Sequence, residues 1–173
     1  SVENKGTLEA DGIENSGTLG NTGSLEADGI ENKGDLSNKG TLTADSLENK
    51  DNGEIVNEGA FEVAKDSDNK GVINNLANAT MEFVAKLANS GSVLNKGILG
   101  IATLENKNSV TNEGTLDVGA LDNEGSLTNE GTLMADNVTN SDEIVNKNGG
   151  NITIADTLEN TGNIANEGTL TAD

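Results

Sequence analysis

Apolar residues and asparagines recur along this chain in pairs two residues apart, and three such pairs repeat about every 17 residues. We number each repeat so that Gly6, Gly23 and Gly40 occupy position 1 of the first three repeats. Positions 3, 5, 8 and 14 are then mostly apolar, and positions 10 and 16 are asparagine. Side chains two residues apart lie on one side of a β-strand. The pattern therefore predicts three short strands per repeat, each with one side turned inward.

Successive repeats begin 17 to 20 residues apart, so the unit is 17 residues with small insertions. Three short strands cannot enclose a core by themselves, but stacked repeats can. The sequence thus predicts an all-β fold, a three-faced parallel β-solenoid of about ten turns, roughly 45 Å long at about 4.8 Å per turn. Repeats begin at Gly6, Gly23, Gly40, Gly59, Ala79, Gly97, Gly114, Gly131, Gly150 and Gly168.

Residues 1–173 read as one solenoid domain that stays in repeat register at both ends. Because the ends of a solenoid are open sheet edges, they invite pairing with another strand. We therefore expect either a segment of a longer array or a fibre subunit whose copies associate end to end.

Asparagine occupies positions 10 and 16 in every repeat, which predicts two inward ladders of stacked side-chain amides. Hydrogen bonds between stacked amides would satisfy groups that are costly to bury unpaired. Position 10 comprises Asn15, Asn32, Asn49, Asn69, Asn89, Asn106, Asn123, Asn140 and Asn160. Position 16 comprises Asn4, Asn21, Asn38, Asn57, Asn75, Asn95, Asn112, Asn129, Asn146 and Asn166.

Glycine marks the two corners beside the asparagines. At position 12 it is replaced only by Asn108 and Asp142, and all three residue types accept a left-handed backbone, which suggests sharp turns of that conformation. The repeat is least regular over residues 59–96, where Phe61, Met81 and Phe83 fall on inward positions. We expect these three side chains to fill a wider core there, in preference to forming a binding patch.

The chain carries a net charge of −20, contains ten lysines and no arginine, and has only two aromatic residues. A nucleic-acid-binding protein needs a basic surface and stacking rings, so this class is disfavoured. The absence of cysteine excludes disulfides and thiolate metal sites. No apolar run is long enough to cross a membrane, so membrane insertion is not expected.

Aspartates at position 6 include Asp11, Asp28 and Asp45, which would stack along one edge of the rod. Carboxylate oxygens are preferred ligands of Ca²⁺, so these residues are candidates for a metal site. The interpretation that we favour is a solvated corner, and no other cofactor is expected.

Two phrases of the repeat resemble a known family. Asn129-Glu130-Gly131-Thr132-Leu133 and Asn166-Glu167-Gly168-Thr169-Leu170-Thr171 resemble repeats of bacterial surface β-helices, namely filamentous-haemagglutinin-like adhesins and autotransporter passenger domains. The resemblance implies secretion, display on a cell surface, and adhesion or fibre building. A host or cell-surface receptor would then be a further partner.

The expected function is that of an extracellular structural or adhesive rod, not an enzyme. A polysaccharide-active β-helix is disfavoured because the chain lacks His, Arg, Trp and Tyr, although two carboxylates alone can cleave a glycoside. Ice binding by rows of threonine is a second alternative. Threonine recurs at position 2, as at Thr115 and Thr132, but acids such as Glu26 and Glu62 interrupt the adjacent row at position 4.

Overall fold

The computed structural model describes residues 1–172, which form 22 β-strands and no α-helix. Asp173, assigned above to position 6, lies outside the described residues. The strands are β1 (Val2–Asn4), β2 (Thr7–Ala10), β3 (Ile13–Asn15), β4 (Thr18–Asn21), β5 (Ser24–Asn32), β6 (Asp35–Asn38), β7 (Thr41–Asn49), β8 (Glu54–Asn57), β9 (Ala60–Val63), β10 (Ser67–Asn69), β11 (Val72–Asn75), β12 (Thr80–Asn89), β13 (Ser92–Asn95), β14 (Ile98–Asn106), β15 (Ser109–Asn112), β16 (Thr115–Asn123), β17 (Ser126–Asn129), β18 (Thr132–Asn140), β19 (Glu143–Asn146), β20 (Asn151–Asn160), β21 (Asn163–Asn166) and β22 (Thr169–Ala172).

Every strand pair is parallel, and the strands form one ten-stranded and one longer sheet. The ten-stranded sheet runs in the order β1-β4-β6-β8-β11-β13-β15-β17-β19-β21 and consists of positions 13 to 16 of each turn. Equivalent positions of successive turns lie opposite each other, as Leu116 does to Leu99 and Leu133. The predicted parallel β-solenoid of about ten turns is therefore confirmed.

The second sheet contains both remaining strand segments of each turn. Positions 2 to 5 and 8 to 10 are separate strands near the start, as β2 and β3, but join into one strand in most turns, as in β5. In β5 the buried residues Leu25 and Ala27 are followed by Ile30 and Asn32, so two successive residues, Asp28 and Gly29, point away from the core. This break in alternation bends the strand and preserves three inward-facing segments per turn.

The core runs along the axis of the rod as columns of Leu, Ile, Val and Ala. Phe61, Met81 and Phe83 are at most 2 % exposed, which confirms that the irregular turns carry a larger core. The extra residue Val84 lies outside, where the pairing of β12 with β14 shifts register between Phe83 and Lys86. The insertion is thus absorbed at a corner and leaves the inward columns aligned.

The structure gives a steric explanation for the corner glycines, which differs from the backbone conformation predicted from the sequence. Among residues 1–172 only Asn78 (φ 68°) and Gly149 (φ 89°) have positive φ values, and neither stands at position 1 or 12, so the left-handed explanation is wrong for the glycines at those positions. Instead, a Cβ atom at Gly23 or Gly131 would lie closer than 3.0 Å to the corner carbonyl of the turn before. The stacked backbones approach so closely at these glycines that a Cβ atom would require a local shift of the turns.

The two non-glycine residues at position 12 support this explanation. Backbone hydrogen bonds across this corner are otherwise 2.7–2.9 Å long, whereas Ser109 N to Gly91 O and Glu143 N to Gly125 O measure 3.3 Å. These two long bonds follow Asn108 and Asp142 directly. A Cβ atom at the corner therefore accompanies a local separation of the two turns by a few tenths of an ångström.

Candidate functional site

Both asparagine columns are continuous hydrogen-bonded ladders through the interior. In each step the side-chain Nδ2 of one asparagine donates to Oδ1 of the asparagine in the next turn, at 2.7–2.9 Å. The position-16 ladder joins Asn4, Asn21, Asn38, Asn57, Asn75, Asn95, Asn112, Asn129, Asn146 and Asn166. The position-10 ladder joins Asn15, Asn32, Asn49, Asn69, Asn89, Asn106, Asn123, Asn140 and Asn160.

Each ladder amide except the last of each column, Asn160 and Asn166, also donates to a backbone carbonyl of the next turn. Nδ2 of Asn106 donates to Ser126 O at 3.1 Å, and Nδ2 of Asn112 donates to Thr132 O at 2.8 Å. Both side chains are 0 % exposed, and no buried side-chain nitrogen or oxygen within residues 1–172 lacks a partner. In every step between turns the asparagine nearer the N-terminus donates and the next one accepts, so both ladders have the same direction. Their role is structural.

The aspartates proposed as calcium ligands lie on an outer edge, where Asp11 and Asp28 are exposed. Asp45 accepts a hydrogen bond from Lys65 Nζ at 2.6 Å, and this bond raises the pKa of Lys65 above its ordinary value of 10.5. Within residues 1–172 no three acidic side chains converge in a way that could hold a metal ion. The solvated corner stays the prediction for this edge, with calcium binding as its alternative.

Seven lysines pair with acids near the two corners that follow the asparagines, whereas Lys65 and Lys86 lie at the third corner. Nine different lysines lie within 4.0 Å of a carboxylate, and Lys147 Nζ contacts Glu130 Oε1 at 2.5 Å. Lys33 donates to Glu14 at 2.7 Å and also contacts Glu31. Hydrogen bonding to these two acids raises the pKa of Lys33, and hydrogen bonding to Lys33 lowers the pKa of Glu31. Because solvent screens such exposed pairs, each contributes little to stability.

Pairing of the lysines leaves the remaining negative charge unevenly distributed. Apart from Glu3, the acids of the ten salt bridges lie at corners or on the position-9 row, whereas no position-4 acid of residues 1–172, such as Glu26 or Glu62, has a lysine within 4.0 Å. A shallow groove of about 600 Å³ beside Glu9, Asp11, Glu26 and Asp28 is lined almost wholly by carboxylates. This surface attracts cations in general, but it presents no built binding site.

The threonine row considered for ice binding is regular only in part. Thr115 and Thr132 are direct neighbours at position 2, but Ile98 precedes them and Asn151 follows them. Asp117 lies beside the row at position 4. This surface therefore lacks the continuous double row of hydroxyl groups that the ice-binding alternative requires.

Ser67 is a structural residue whose role the sequence did not reveal. It stands at position 8, where other turns have an apolar residue, yet it is only 3 % exposed. Its Oγ accepts a hydrogen bond from Leu47 N at 3.2 Å and donates to Lys65 O at 3.1 Å. A buried serine whose hydroxyl is hydrogen-bonded to backbone groups thus replaces the apolar residue of the other turns.

Comparisons with known proteins add no relative to this description. No family model, no curated protein and no solved structure matches the chain. Within residues 1–172 no helix is long and apolar enough to cross a membrane.

Proposed function

We propose that the chain is a structural rod, the shaft of an extracellular stalk or fibre on a bacterial surface. The observation that carries this proposal is the unbroken course of both asparagine ladders from Asn4 to Asn166 and from Asn15 to Asn160. A rod whose turns are all joined by two hydrogen-bonded ladders is well suited to hold its two ends at a constant distance. The repeat phrases quoted above support secretion and surface display.

The chemistry of the surface supports a structural role over a catalytic one. The chain has no His, Cys, Trp or Tyr, and its lysines are largely engaged in salt bridges. Among residues 1–172 the resolved pKa shifts lead away from neutrality, because the pKa values of the shifted lysines rise and that of Glu31 falls. Adhesion to a receptor would then depend on a surface of the rod or on other modules that it carries.

Duplication of two turns tests the proposal. Residues 97–130 contain two complete 17-residue repeats, so a chain with this segment duplicated should fold and lengthen by about 10 Å. Small-angle scattering measures the length, and the reach of a terminally attached binding tag measures the mechanical consequence. A shaft requires longer reach and no sugar turnover by either chain. Hydrolysis of a polysaccharide that is lost when surface carboxylates are replaced would refute the structural role.

A further inference from the structure

Two corners of the rod carry two-residue insertions, and these insertions contain the only two Asn-Gly pairs of the chain. One corner comprises residues 50–53 and the other comprises residues 147–150. In both corners the N–H of the last residue donates to the carbonyl of the first at 2.8 Å. In both, the ladder asparagine just before the corner donates to the carbonyl of the last residue at 3.1 Å. The two corners are therefore equivalent turns held by equivalent hydrogen bonds.

The Asn-Gly pair stands one residue earlier in the second turn than in the first. In residues 50–53 the pair is Asn52 and Gly53, so the glycine N–H is the donor of the turn's hydrogen bond. In residues 147–150 the pair is Asn148 and Gly149, and the donor is the next residue. Gly149 has a φ of 89°, which glycine accepts readily at the third place of a turn. The hydrogen bond of the second turn therefore leaves the Gly149 N–H unused.

The surroundings of the two glycines differ accordingly. Gly53 is buried, and its carbonyl accepts from Asn49 Nδ2 at 3.1 Å and from Val72 N at 2.9 Å. Gly149 and Asn148 are both exposed, and a Cβ atom at Gly149 would meet nothing within 4 Å. Within residues 1–172 neither the N–H nor the carbonyl of Gly149 has a hydrogen-bond partner. One Asn-Gly peptide group is thus held by three hydrogen bonds, and the other can rotate.

From this contrast we propose that Asn148 is a site of spontaneous deamidation and that the fold protects Asn52 from the same reaction. The nitrogen of Gly149 forms a bond to Cγ of Asn148 and gives up its proton, while the Cγ–Nδ2 bond breaks and ammonia leaves. Water then opens the five-membered ring at Cγ to give aspartate, or at the backbone carbonyl carbon to give isoaspartate. One water molecule is consumed and one ammonia is released, so water is the only co-reactant and no electrons are transferred.

The hydrogen bonds decide which of the two pairs reacts. Ring closure requires the peptide group after the asparagine to rotate until its nitrogen reaches Cγ. At Gly53 this rotation would break the turn's hydrogen bond and release a carbonyl that a ladder amide holds. At Gly149 it breaks no hydrogen bond, and the absence of a Cβ atom leaves the nitrogen open to approach. Because one hydrogen bond corresponds to about fivefold in an equilibrium constant, several should separate the two rates by at least about tenfold.

The product should be compatible with the solenoid. Asn148 and Gly149 are inserted between the ladder residue Asn146 and Gly150 at position 1, so neither belongs to an inward column. Conversion of Asn148 adds one negative charge beside Lys147 and, in the isoaspartate form, one more atom to the backbone of an exposed turn. The rod would thereby acquire a permanent chemical mark that accumulates with its age while the core stays in register.

Tryptic peptides report the two sites separately. Cleavage after lysine places Asn52 in residues 51–65 and Asn148 in residues 148–173, so each peptide contains one Asn-Gly pair. The purified native chain is incubated in mildly alkaline buffer, digested at intervals and analysed by fragmentation mass spectrometry for the mass gain of an amide-to-acid exchange. Asn148 should deamidate at least about tenfold faster than Asn52 in the folded chain. In guanidinium chloride the two rates should agree within about twofold, because unfolding removes both turns.

The variant Asn148→Gln verifies the assignment, because a side chain longer by one methylene cannot close the five-membered ring. It should lose the fast mass gain in residues 148–173, and circular dichroism checks that it remains folded. Equal rates at the two sites of the folded chain, or a ratio in guanidinium chloride equal to that in buffer, would overturn the proposal. An unreacted Asn148 over a period in which the unfolded chain deamidates would overturn it as well. A fast mass gain that persists in Asn148→Gln would do the same, because it would place the reaction at another asparagine.

Discussion

Replacement of Asn106 by aspartate tests whether the ladders stabilise the fold because each asparagine both accepts and donates a hydrogen bond. In the native chain Asn106 accepts from Asn89 at 2.9 Å and donates to Asn123 Oδ1 at 2.7 Å and to Ser126 O at 3.1 Å. The introduced carboxylate could still accept a hydrogen bond but could no longer donate one. The buried Asn123 Oδ1 and the partly buried Ser126 O would then face a carboxylate at a position where the native side chain is 0 % exposed.

The expected cost of Asn106→Asp is large on the scale of protein stability. Each unsatisfied buried group costs about 1–3 kcal/mol, and an uncompensated buried charge costs about 3–5 kcal/mol. We therefore expect a loss of about 3–5 kcal/mol, against a total stability of about 5–15 kcal/mol for typical domains. Urea unfolding followed by far-ultraviolet circular dichroism measures it, because the chain has no Trp or Tyr for fluorescence.

The same substitution at Asn160 supplies the control. Asn160 accepts from Asn140 at 2.7 Å, but its own Nδ2 donates only to Gly162 O at 3.2 Å and the residue is exposed. Since a carboxylate can accept the hydrogen bond from Asn140 equally well, Asn160→Asp should cost less than about 1 kcal/mol. Equal shifts of the unfolding midpoint in the two variants would refute the directional ladder.

Acid pH provides a second check on Asn106→Asp. Burial should raise the pKa of the introduced carboxyl above its value in the unfolded chain. The folded state then binds the extra proton first, so the variant should recover stability as pH falls from 7 through that raised pKa. A protonated carboxyl can again donate to one neighbour. A stability difference from the native chain that stays constant between pH 7 and about pH 4 would contradict this mechanism.

Three further predictions concern the corners and the charged surface. Gly131→Ala places a Cβ closer than 3.0 Å to backbone and should cost at least about 2 kcal/mol in urea unfolding, whereas Gly100→Ala, with its nearest atom at 3.9 Å, should cost less than about 1 kcal/mol. Hydrogen bonds to acids raise the pKa values of Lys33 and Lys147, so their stabilisation is complete below the ordinary value of 10.5 and is lost as pH rises through the higher folded values. The thermal midpoint should accordingly fall above about pH 10.5, less steeply in Lys33→Gln; an unchanged slope would show that the salt bridge does not contribute. Ca²⁺ and Mg²⁺ at equal ionic strength should raise the midpoint equally if the acidic edge is merely solvated, and an excess for Ca²⁺ that Asp28→Asn removes would instead establish a metal site.

Much of the architecture could be predicted because a solenoid repeats one local pattern. The alternation of inward and outward side chains depends on backbone geometry alone, so positions such as Leu116 and Asn112 show their orientation in the sequence. Repetition then places equivalent residues above one another, which made both ladders and the inward positions of Phe61 and Phe83 predictable. The absence of reactive residue types could likewise be read without a structure.

Properties that depend on the separation and offset of neighbouring turns required the tertiary structure. Gly23 and Gly131 avoid a steric clash with the preceding turn and do not adopt a left-handed conformation. Only the stacking of the turns in the structure reveals this distinction. The direction of the ladders follows from the orientation of each amide, which the identity of asparagine leaves open. The pairing of Lys33 with Glu14, 19 residues away, depends on the alignment of two turns in space. Local periodicity therefore specifies which residues face inward, whereas contact between turns decides how closely they approach and which groups bond.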